Sequence, residues 1–230
     1  MKGIICSLLI IIIFSFPVKL SSQDAAQVFD KVYGLDQTLC NGKRYNYLPP
    51  PNASGHQYLI SPDFIVGTIN IRGKCFQDIT LNYDIFNQQL LLQYNSETYF
   101  RNIIEVSNAW LTSFRLGNMN FELLNLDQYP RFYQVLGEGP VRVFYFWRKN
   151  LNLNNVIGSS NFIFTPATRD SYVFMDGQLR PFKNKQSLIR IFEPGHRQEI
   201  KSYMRKNKVK VKKASDQAMA EMITFIGNIK

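Results

Sequence analysis

The sequence predicts a mainly β fold (α+β), in which an antiparallel meander is curled into a sandwich or half-barrel and followed by a basic C-terminal helical region. Three observations support this class. Between residues 55 and 182, apolar and polar residues alternate in short runs separated by turn signals. Aromatic residues make up 14% of the chain, with 12 Tyr and 18 Phe, which favours strands. After residue 183, apolar residues recur at helical spacing instead.

Eleven strands follow from this alternation and from the turns between the runs. Turns are predicted at residues 72–74, 117–118, 137–139 and 176–177, each of which contains a glycine next to a polar residue. The predicted strands are 65–71, 76–83, 90–94, 103–106, 111–116, 121–124, 132–136, 141–148, 161–164, 171–174 and 178–182. The asparagine-rich stretch 151–160 is predicted to be a loop.

The strand at 141–148 carries large side chains on both faces. Tyr145 and Trp147 share one face, and Phe144 lies on the other. We expect such a strand at the centre of a sheet that is covered on both sides. The alternative is a ligand-facing aromatic wall, in which Trp110, Tyr145 and Trp147 line an apolar cavity of the curled sheet.

The tail is predicted to fold back onto the sheet as amphipathic helices. Apolar spacing indicates helices over 188–192 and 196–207, and Pro194 stops the first of them. Residues 208–212 alternate lysine with valine and predict a short extended segment. Ser215 is a candidate N-cap for a last helix. The apolar stripe of that helix consists of Met219, Met222, Ile223, Ile226 and Ile229. The alternative is a cationic amphipathic helix that lies on a membrane.

The first 23 residues predict a secretory signal peptide. Lys2 precedes an apolar run over 4–14, and Pro17 and small polar residues follow it. The run is short for a membrane span. We therefore expect cleavage near Gln23 and export to the periplasm or the outer-membrane periphery, with no transmembrane span in the mature chain.

Three regions remain after residues 1–23. Residues 24–54 form an N-terminal arm and a loop, whose three consecutive prolines at 49–51 predict an extended connector. Residues 55–182 form the antiparallel β domain. Residues 183–230 form the basic helical region that packs on the sheet.

Positive charge is concentrated in the last of these regions. The whole chain has a formal charge of +10, and residues 180–230 hold 13 Lys and Arg against four acids, a net +9. The densest run contains Lys206, Lys208, Lys210, Lys212 and Lys213. These lysines predict binding to an anionic lipid or glycolipid, or to an acidic envelope protein. Nucleic acid is not expected, because no aromatic residues are interleaved with the run. The alternative is a solvated basic face.

Cysteine usage is compatible with one disulfide. Cys6 lies inside the predicted signal peptide, so Cys40 and Cys75 remain. A bridge between them would close a loop of about 35 residues and stabilise the fold by about 3–4 kcal/mol in the chain-entropy model. The alternative is a pair of buried thiols. No third ligand is clustered nearby, so a metal site is not expected.

Catalytic motifs are not found in the sequence. His56 and His196 are far apart and have no metal-ligand spacing. The chain has no G-x-S-x-G elbow, no H-E-x-x-H motif and no phosphate loop. A pair of catalytic carboxylates would depend on spatial proximity, which the sequence does not reveal. We therefore predict no enzymatic activity, no cofactor and no metal.

Several short segments of the mature chain together resemble a known group of sequences. They lie at residues 39–45, 55–56, 67–73, 81–84, 89–92 and 132–136. With the basic helical tail, they resemble uncharacterised exported β-rich proteins of Bacteroidota-type bacteria. The resemblance implies a bacterial envelope setting. It implies no activity and no catalytic residues, because the matching elements are turn glycines, strand residues and tail helices.

These features predict an exported, non-enzymatic envelope protein that docks on another envelope component through its basic C-terminal region. The alternative is a periplasmic lipid or glycolipid binding protein that uses an apolar cavity of the curled sheet. The two hypotheses differ in which residues matter, since the first depends on the tail lysines and the second on the aromatic wall.

Overall fold

The computed structural model describes residues 36–95, 101–125, 129–156 and 159–229. The predicted signal peptide and most of the N-terminal arm lie outside the described residues. From Gln37 onward the chain belongs to a single unit. The described part contains both the predicted β domain and the predicted basic helical region.

Thirteen strands lie within the described residues. They are β1 (Gly42–Arg44), β2 (Ile65–Ile71), β3 (Lys74–Asp84), β4 (Gln89–Asn95), β5 (Arg101–Val106), β6 (Leu111–Leu116), β7 (Met119–Leu124), β8 (Arg131–Leu136), β9 (Arg142–Arg148), β10 (Leu151–Val156), β11 (Ser159–Phe164), β12 (Thr168–Met175) and β13 (Gln178–Phe182). Each of the eleven predicted strands coincides with one of these to within about three residues at either end.

Two hairpin turns have the backbone that their sequences predict. Arg72 and Gly73 join β2 to β3 with φ of 52° and 77°. Asp176 and Gly177 join β12 to β13 with φ of 55° and 74°. Positive φ at both central residues is typical of the type I′ turn, whose twist matches that of the paired strands.

Eleven of the strands form one open antiparallel sheet. The order is β1-β5-β4-β3-β2-β6-β7-β8-β9-β12-β13, and β10 and β11 form a separate hairpin. After β1, which lies at one edge beside β5, the chain enters the middle of the sheet at β2, builds outward to β5, and returns to place β6 on the other side of β2. From β6 onward it continues as a meander. The predicted mainly β, antiparallel fold is confirmed.

The sheet curls strongly, as the contacts of the Tyr83 ring with strands distant in the sheet demonstrate. Tyr83 lies on β3, and its ring centroid is 5.7 Å from that of Phe132 on β8. Four strand spacings separate β3 from β8, which in a flat sheet is about 19 Å. The same ring lies 5.4 Å from Phe114 on β6 and 5.4 Å from Phe121 on β7. The arrangement is that of a half-barrel around a packed interior.

The interior of this curl is the strand-side core. It combines aliphatic residues of β2 to β6 with the aromatic rings described above. Its buried members are Leu59, Ile69, Ile71, Leu81, Tyr83, Ile85, Leu90, Leu92, Ile104, Val106, Leu111, Phe114, Leu116, Phe121 and Phe132. Burial of this apolar surface is the main free-energy gain that keeps the sheet curled.

Three helices follow the sheet: α1 (Lys185–Arg190), α2 (Arg197–Lys206) and α3 (Asp216–Asn228), with a 3-10 turn at Pro194–His196. Asn184 caps α1 by accepting from Ser187 N at 3.0 Å. Ser215 caps α3 by accepting from Ala218 N at 3.2 Å, which confirms the predicted N-cap.

A helix-side core lies between these helices and the last strands. It holds the apolar stripe predicted for α3, of which Met219, Met222, Ile223 and Ile226 are buried. The sheet contributes Leu136, Val141, Val143, Tyr145, Val173, Met175 and Phe182. On β9, Val143, Phe144 and Tyr145 are at most 1% exposed, so this strand is covered on both faces as predicted.

A polar network also joins α3 to the sheet. The Asp216 carboxylate accepts from Gln134 Nε2 at 2.5 Å and from Arg169 Nη1 at 3.2 Å. Trp147 Nε1 donates to Gln134 Oε1 at 2.7 Å. Gln134 is fully buried, so its hydrogen bonds satisfy a side chain that has no access to water. The first turn of α3 is thereby tied to β8, β9 and β12.

Two strands differ from the sequence-based prediction. The stretch predicted as a loop contains β10, which pairs with β11 from Leu151↔Phe164 to Val156↔Ser159. The asparagines lower the strand propensity, but pairing with an adjacent strand supplies the backbone hydrogen bonds. The arm contains β1, which pairs with β5. A strand of three residues is too short to show a period of two.

We predict that Phe121→Ala lowers the free energy of unfolding by about 3–5 kcal/mol, because it leaves a cavity in the strand-side core. The ring is 1% exposed and stacks on Phe114 at 4.6 Å. Denaturant unfolding measures the loss. Val66→Ala is the control, since Val66 is 62% exposed and its truncation should change stability by less than about 0.5 kcal/mol. Equal losses in both variants would contradict this placement of the core.

Candidate anion-binding surface

The five lysines singled out in the sequence are all exposed. Lys206 is the last residue of α2, and Lys208, Lys210, Lys212 and Lys213 lie in the connection between α2 and α3. The structure therefore brings them together on one short segment.

This segment forms turns, so the predicted extended segment is wrong. Lys208 has a left-handed backbone with φ of 52°, and Val209 N donates to Met204 O at 2.9 Å. This arrangement closes the C-terminus of α2. Val209 is 9% exposed and belongs to the helix-side core. A second turn follows, in which Lys213 N donates to Lys210 O at 2.7 Å. The segment therefore folds into turns that bury Val209, although its alternating lysines and valines predict an extended backbone.

The positive charges of this region are not neutralised within the described part of the protein. Between residues 183 and 213 there are eleven Lys and Arg and two acids, a net +9 (11 minus 2). The described residues give none of the eleven an ion-pair partner. The eleven are Lys183, Lys185, Arg190, Arg197, Lys201, Arg205, Lys206, Lys208, Lys210, Lys212 and Lys213. Such a surface attracts anions from distances up to the Debye length, which is about 8 Å at physiological ionic strength.

Sequence analysis missed part of this surface. Arg197, Lys201 and Arg205 lie at positions i, i+4 and i+8 of α2 and therefore share one face. The same spacing is visible in the sequence. Charge density alone singles out the run from Lys206 to Lys213, whereas the stripe becomes visible only when helical spacing is applied to α2.

A buried polar cluster around Asp84 forms the other concentration of polar groups. The Asp84 carboxylate accepts from Tyr45 Oη at 2.6 Å and from Asn87 Nδ2 at 2.7 Å. It also accepts from the backbone N–H groups of Phe86 and Asn87 at 2.9 and 2.8 Å. Both oxygens are therefore occupied in shaping the β3–β4 turn. The carboxylate therefore holds the turn and the Tyr45 hydroxyl in place.

His56 and Lys149 lie beside this cluster. Lys149 Nζ donates to His56 O at 2.8 Å and is 3.3 Å from His56 Nδ1. Burial, followed by the charge of Lys149, lowers the pKa of His56. Burial also lowers the pKa of Lys149, and the charge of Asp84 partly opposes this. The geometry suits a neutral imidazole, whose Nδ1 accepts from the ammonium group.

The second histidine lines a different cavity. His196 borders a space of about 330 Å³ together with Asp176, Arg180 and Glu193. The rest of its lining is apolar. No serine, threonine or cysteine lines this cavity among the described residues, so it presents no nucleophile of these types. Within the described ranges, no group of three or more His, Cys, Asp or Glu side chains is placed to hold a metal ion.

Of the three aromatic residues predicted to line a cavity, Tyr145 and Trp147 lie together beneath the Arg169 guanidinium, which is 3.8 and 5.3 Å from their ring centroids, and Trp110 lies elsewhere. Tyr145 is 1% exposed within the helix-side core, and burial raises the pKa of its hydroxyl to about 12. Trp147 packs between the two cores. Trp110 lies at the β5–β6 turn, 39% exposed, with the guanidinium of Arg72 3.4 Å from its ring centroid. The aromatic wall therefore has no support in their positions.

A wider cleft of about 1070 Å³ has a mixed polar and apolar lining, to which β2, β3, β6, β7, β8, β9 and α3 contribute. Its lining includes the ion pair of Arg142 and Glu122, with Arg142 Nη1 at 2.9 and 3.0 Å from the two carboxylate oxygens. A buried lipid chain is bound by a predominantly apolar cavity, which this lining is not.

Cys40 and Cys75 are not joined by a disulfide. Cys40 borders the strand-side core just before β1, whereas Cys75 is exposed on β3. In the sheet, β5 and β4 lie between β1 and β3. The predicted bridge is thus not formed.

Among the described helices, the longest has 13 residues, and none has the length and apolar composition needed to cross a membrane. No protein family, curated protein or solved structure matches the chain. The resemblance to exported proteins of Bacteroidota-type bacteria therefore stays a prediction.

We predict that stability falls as the pH drops below about 6.5, the ordinary histidine pKa. The folded protein binds a proton at His56 less readily than the unfolded chain does, since burial disfavours the protonated ring and that ring would also face the Lys149 ammonium. The stabilising contribution is complete above the unfolded pKa and is lost as the pH falls through the lower, folded pKa. Denaturant unfolding between about pH 7 and about pH 5 measures the slope.

His56→Gln is the control for this prediction, because glutamine cannot be protonated in this range. The difference in stability between the variant and the wild type should change with pH. An identical pH dependence in both proteins would contradict the assignment to His56. NMR titration of the His56 ring gives an independent measurement of its pKa.

Proposed function

We propose that this protein is an exported, non-enzymatic envelope protein that docks on another envelope component through its basic C-terminal region. The proposal takes the periplasm or the outer-membrane periphery as its location. Its partner is anionic: a lipid, a glycolipid or an acidic envelope protein. The observation that carries the proposal is the set of eleven cations without an ion-pair partner in the described residues.

The structural setting of these cations supports docking. Ten of the eleven are exposed and Arg197 is half-buried, so their charged groups are available to a partner. The helices beneath them are fixed to the sheet by the helix-side core and by Asp216. A charged surface on a fixed support binds with little loss of conformational entropy. Long-range attraction would also speed association with a negatively charged surface.

The non-enzymatic part of the proposal is supported by the positions of the candidate groups. Asp84 is occupied by hydrogen bonds that shape a turn. His56 faces a lysine. Neither group is arranged to act as a general acid or base on a substrate.

We predict that Lys206→Glu, Lys210→Glu and Lys213→Glu together release the protein from the envelope fraction of its host. The three substitutions reverse charge in the α2–α3 connection and leave both cores intact. Cell fractionation followed by immunoblotting measures the distribution. Salt at about 1 M should release the wild-type protein as well, because the Debye length then falls to about 3 Å.

The matched control reverses three exposed charges on the sheet, Arg44→Glu, Arg101→Glu and Arg115→Glu. This variant has the same net charge as the tail variant and should stay in the envelope fraction. If the tail variant also stayed there, docking through the basic region would be refuted. Release of both variants would instead assign retention to the net charge of the protein.

A further inference from the structure

A basic groove of about 450 Å³ lies between α1 and α2. Its lining consists of Lys185, Gln186, Ile189, Arg190, Arg197, Lys201 and Arg205. Five of these seven residues are cations and none is an acid. The groove therefore concentrates positive charge in a volume that suits a small ligand or a lipid headgroup.

The two helices supply the charges from opposite walls. Arg197, Lys201 and Arg205 form one stripe along α2, and Lys185 and Arg190 face them from α1. Glu199 lies two residues from Arg197, which places it on a different face of α2. Its carboxylate does not line the groove. The positive potential of the groove is thus not cancelled by the acid on the same helix.

Arg197 is held in place at one end of the groove. Its Nε donates to Phe192 O at 2.8 Å and its Nη2 donates to Arg190 O at 3.1 Å. These bonds satisfy one carbonyl group in the last turn of α1 and one just after it, and they also fix the position of the guanidinium. Beside it, Ile189 is 5% exposed and contributes an apolar part of the lining. Charges next to an apolar surface are screened less than charges in open water.

We infer that this groove is a binding site for clustered phosphate groups. The inference rests on the proposed function and names the chemistry of the anion that the basic region binds. Guanidinium groups match phosphate oxygens with two parallel hydrogen bonds, and lysines add point charges. A phosphomonoester carries about −1.5 to −2 charges at neutral pH, so five cations match about three phosphates. Isolated carboxylates provide less charge in the same volume.

The test compares two variants that change the net charge equally. Lys201→Glu with Arg205→Glu reverses two charges inside the groove. Lys210→Glu with Lys213→Glu reverses two charges in the α2–α3 connection, outside the groove. Arg197 is left unchanged because its hydrogen bonds support α1. Binding of inorganic tripolyphosphate to the purified protein is measured by isothermal titration calorimetry at physiological ionic strength.

A second arm identifies the source of the phosphate groups. It measures sedimentation of the protein with phosphatidylcholine vesicles that contain either phosphatidic acid or phosphatidylserine. Binding of tripolyphosphate shows that a soluble polyphosphate can occupy the site. Binding confined to vesicles with phosphatidic acid assigns the phosphate to a lipid headgroup.

The groove variant should bind at least about tenfold more weakly than the wild type, because it loses charge-assisted hydrogen bonds. The connection variant should change binding by no more than about threefold, through long-range attraction alone. Equal losses in the two variants would overturn the groove as a site while leaving docking through the basic region intact. Absence of binding by the wild type in both arms would also overturn it, and fractionation would then decide the proposed function separately.

Lys201→Glu also separates binding from stability. In α2, residue 201 lies four positions from both Arg197 and Arg205, so the wild type places like charges side by side. Glutamate would convert both contacts into favourable pairs. We expect the thermal midpoint of this variant to equal or exceed that of the wild type, while its phosphate binding falls. A lowered thermal midpoint together with weakened binding would contradict this separation of binding from stability. The variant Lys201→Gln with Arg205→Gln then repeats the binding test without charge reversal.

Discussion

Burial of the Tyr83 ring constrains the whole β domain. This ring contacts three phenylalanine rings carried by β6, β7 and β8, although those strands are up to four positions away in the sheet. The contacts form only if the sheet curls. Curling also brings the β3–β4 turn to β9, where Gln88 Nε2 donates to Trp147 O at 2.9 Å. Tyr83 Oη donates to Gln88 Oε1 at 2.7 Å. The Gln88 side chain therefore links the Tyr83 ring of the strand-side core to the backbone of β9.

The curl determines where helices are needed. The strand-side core is covered by the sheet itself, but the inner face of β8, β9, β12 and β13 needs another layer. The C-terminal helices provide that layer, and Asp216 fixes the start of α3 through Gln134 and Arg169. Stacking of Tyr203 on Phe225 at 4.3 Å then joins α2 to α3. The basic surface therefore rests on helices that are fixed by packing.

Local patterns predicted most of the fold, and long-range contacts account for the rest. Alternation of apolar and polar residues indicates which face of a strand is buried, so it located eleven strands. Helical spacing of apolar residues located the stripe on α3. Alternation could not locate β10, because pairing with β11 decides its structure. Alternation also predicted an extended segment around Val209, whose burial depends instead on the helices that pack against it. The basic groove was out of reach for the same reason, since neither wall exists until α1 and α2 pack together. The lysines singled out in the sequence are exposed. The density of positive charge along the sequence did not reveal the stripe that begins at Arg197.

The concentration of charge on α2 is only partly explained by folding, because Arg205 lies in the last turn and suits the helix dipole, whereas Lys201 lies between two like charges. Like charges at i and i+4 destabilise a helix by about 0.2–0.5 kcal/mol per pair, and α2 has two such pairs around Lys201. The described residues offer this stripe no carboxylate within ion-pair distance. An acidic residue at 201 would satisfy the helix better and would not disturb either core. Arg197 does serve the fold, through the carbonyls at the end of α1 and just after it, but Lys201 and Arg205 contribute no hydrogen bond of this kind among the described residues. An anion bound in the proposed groove would offset the repulsion around Lys201.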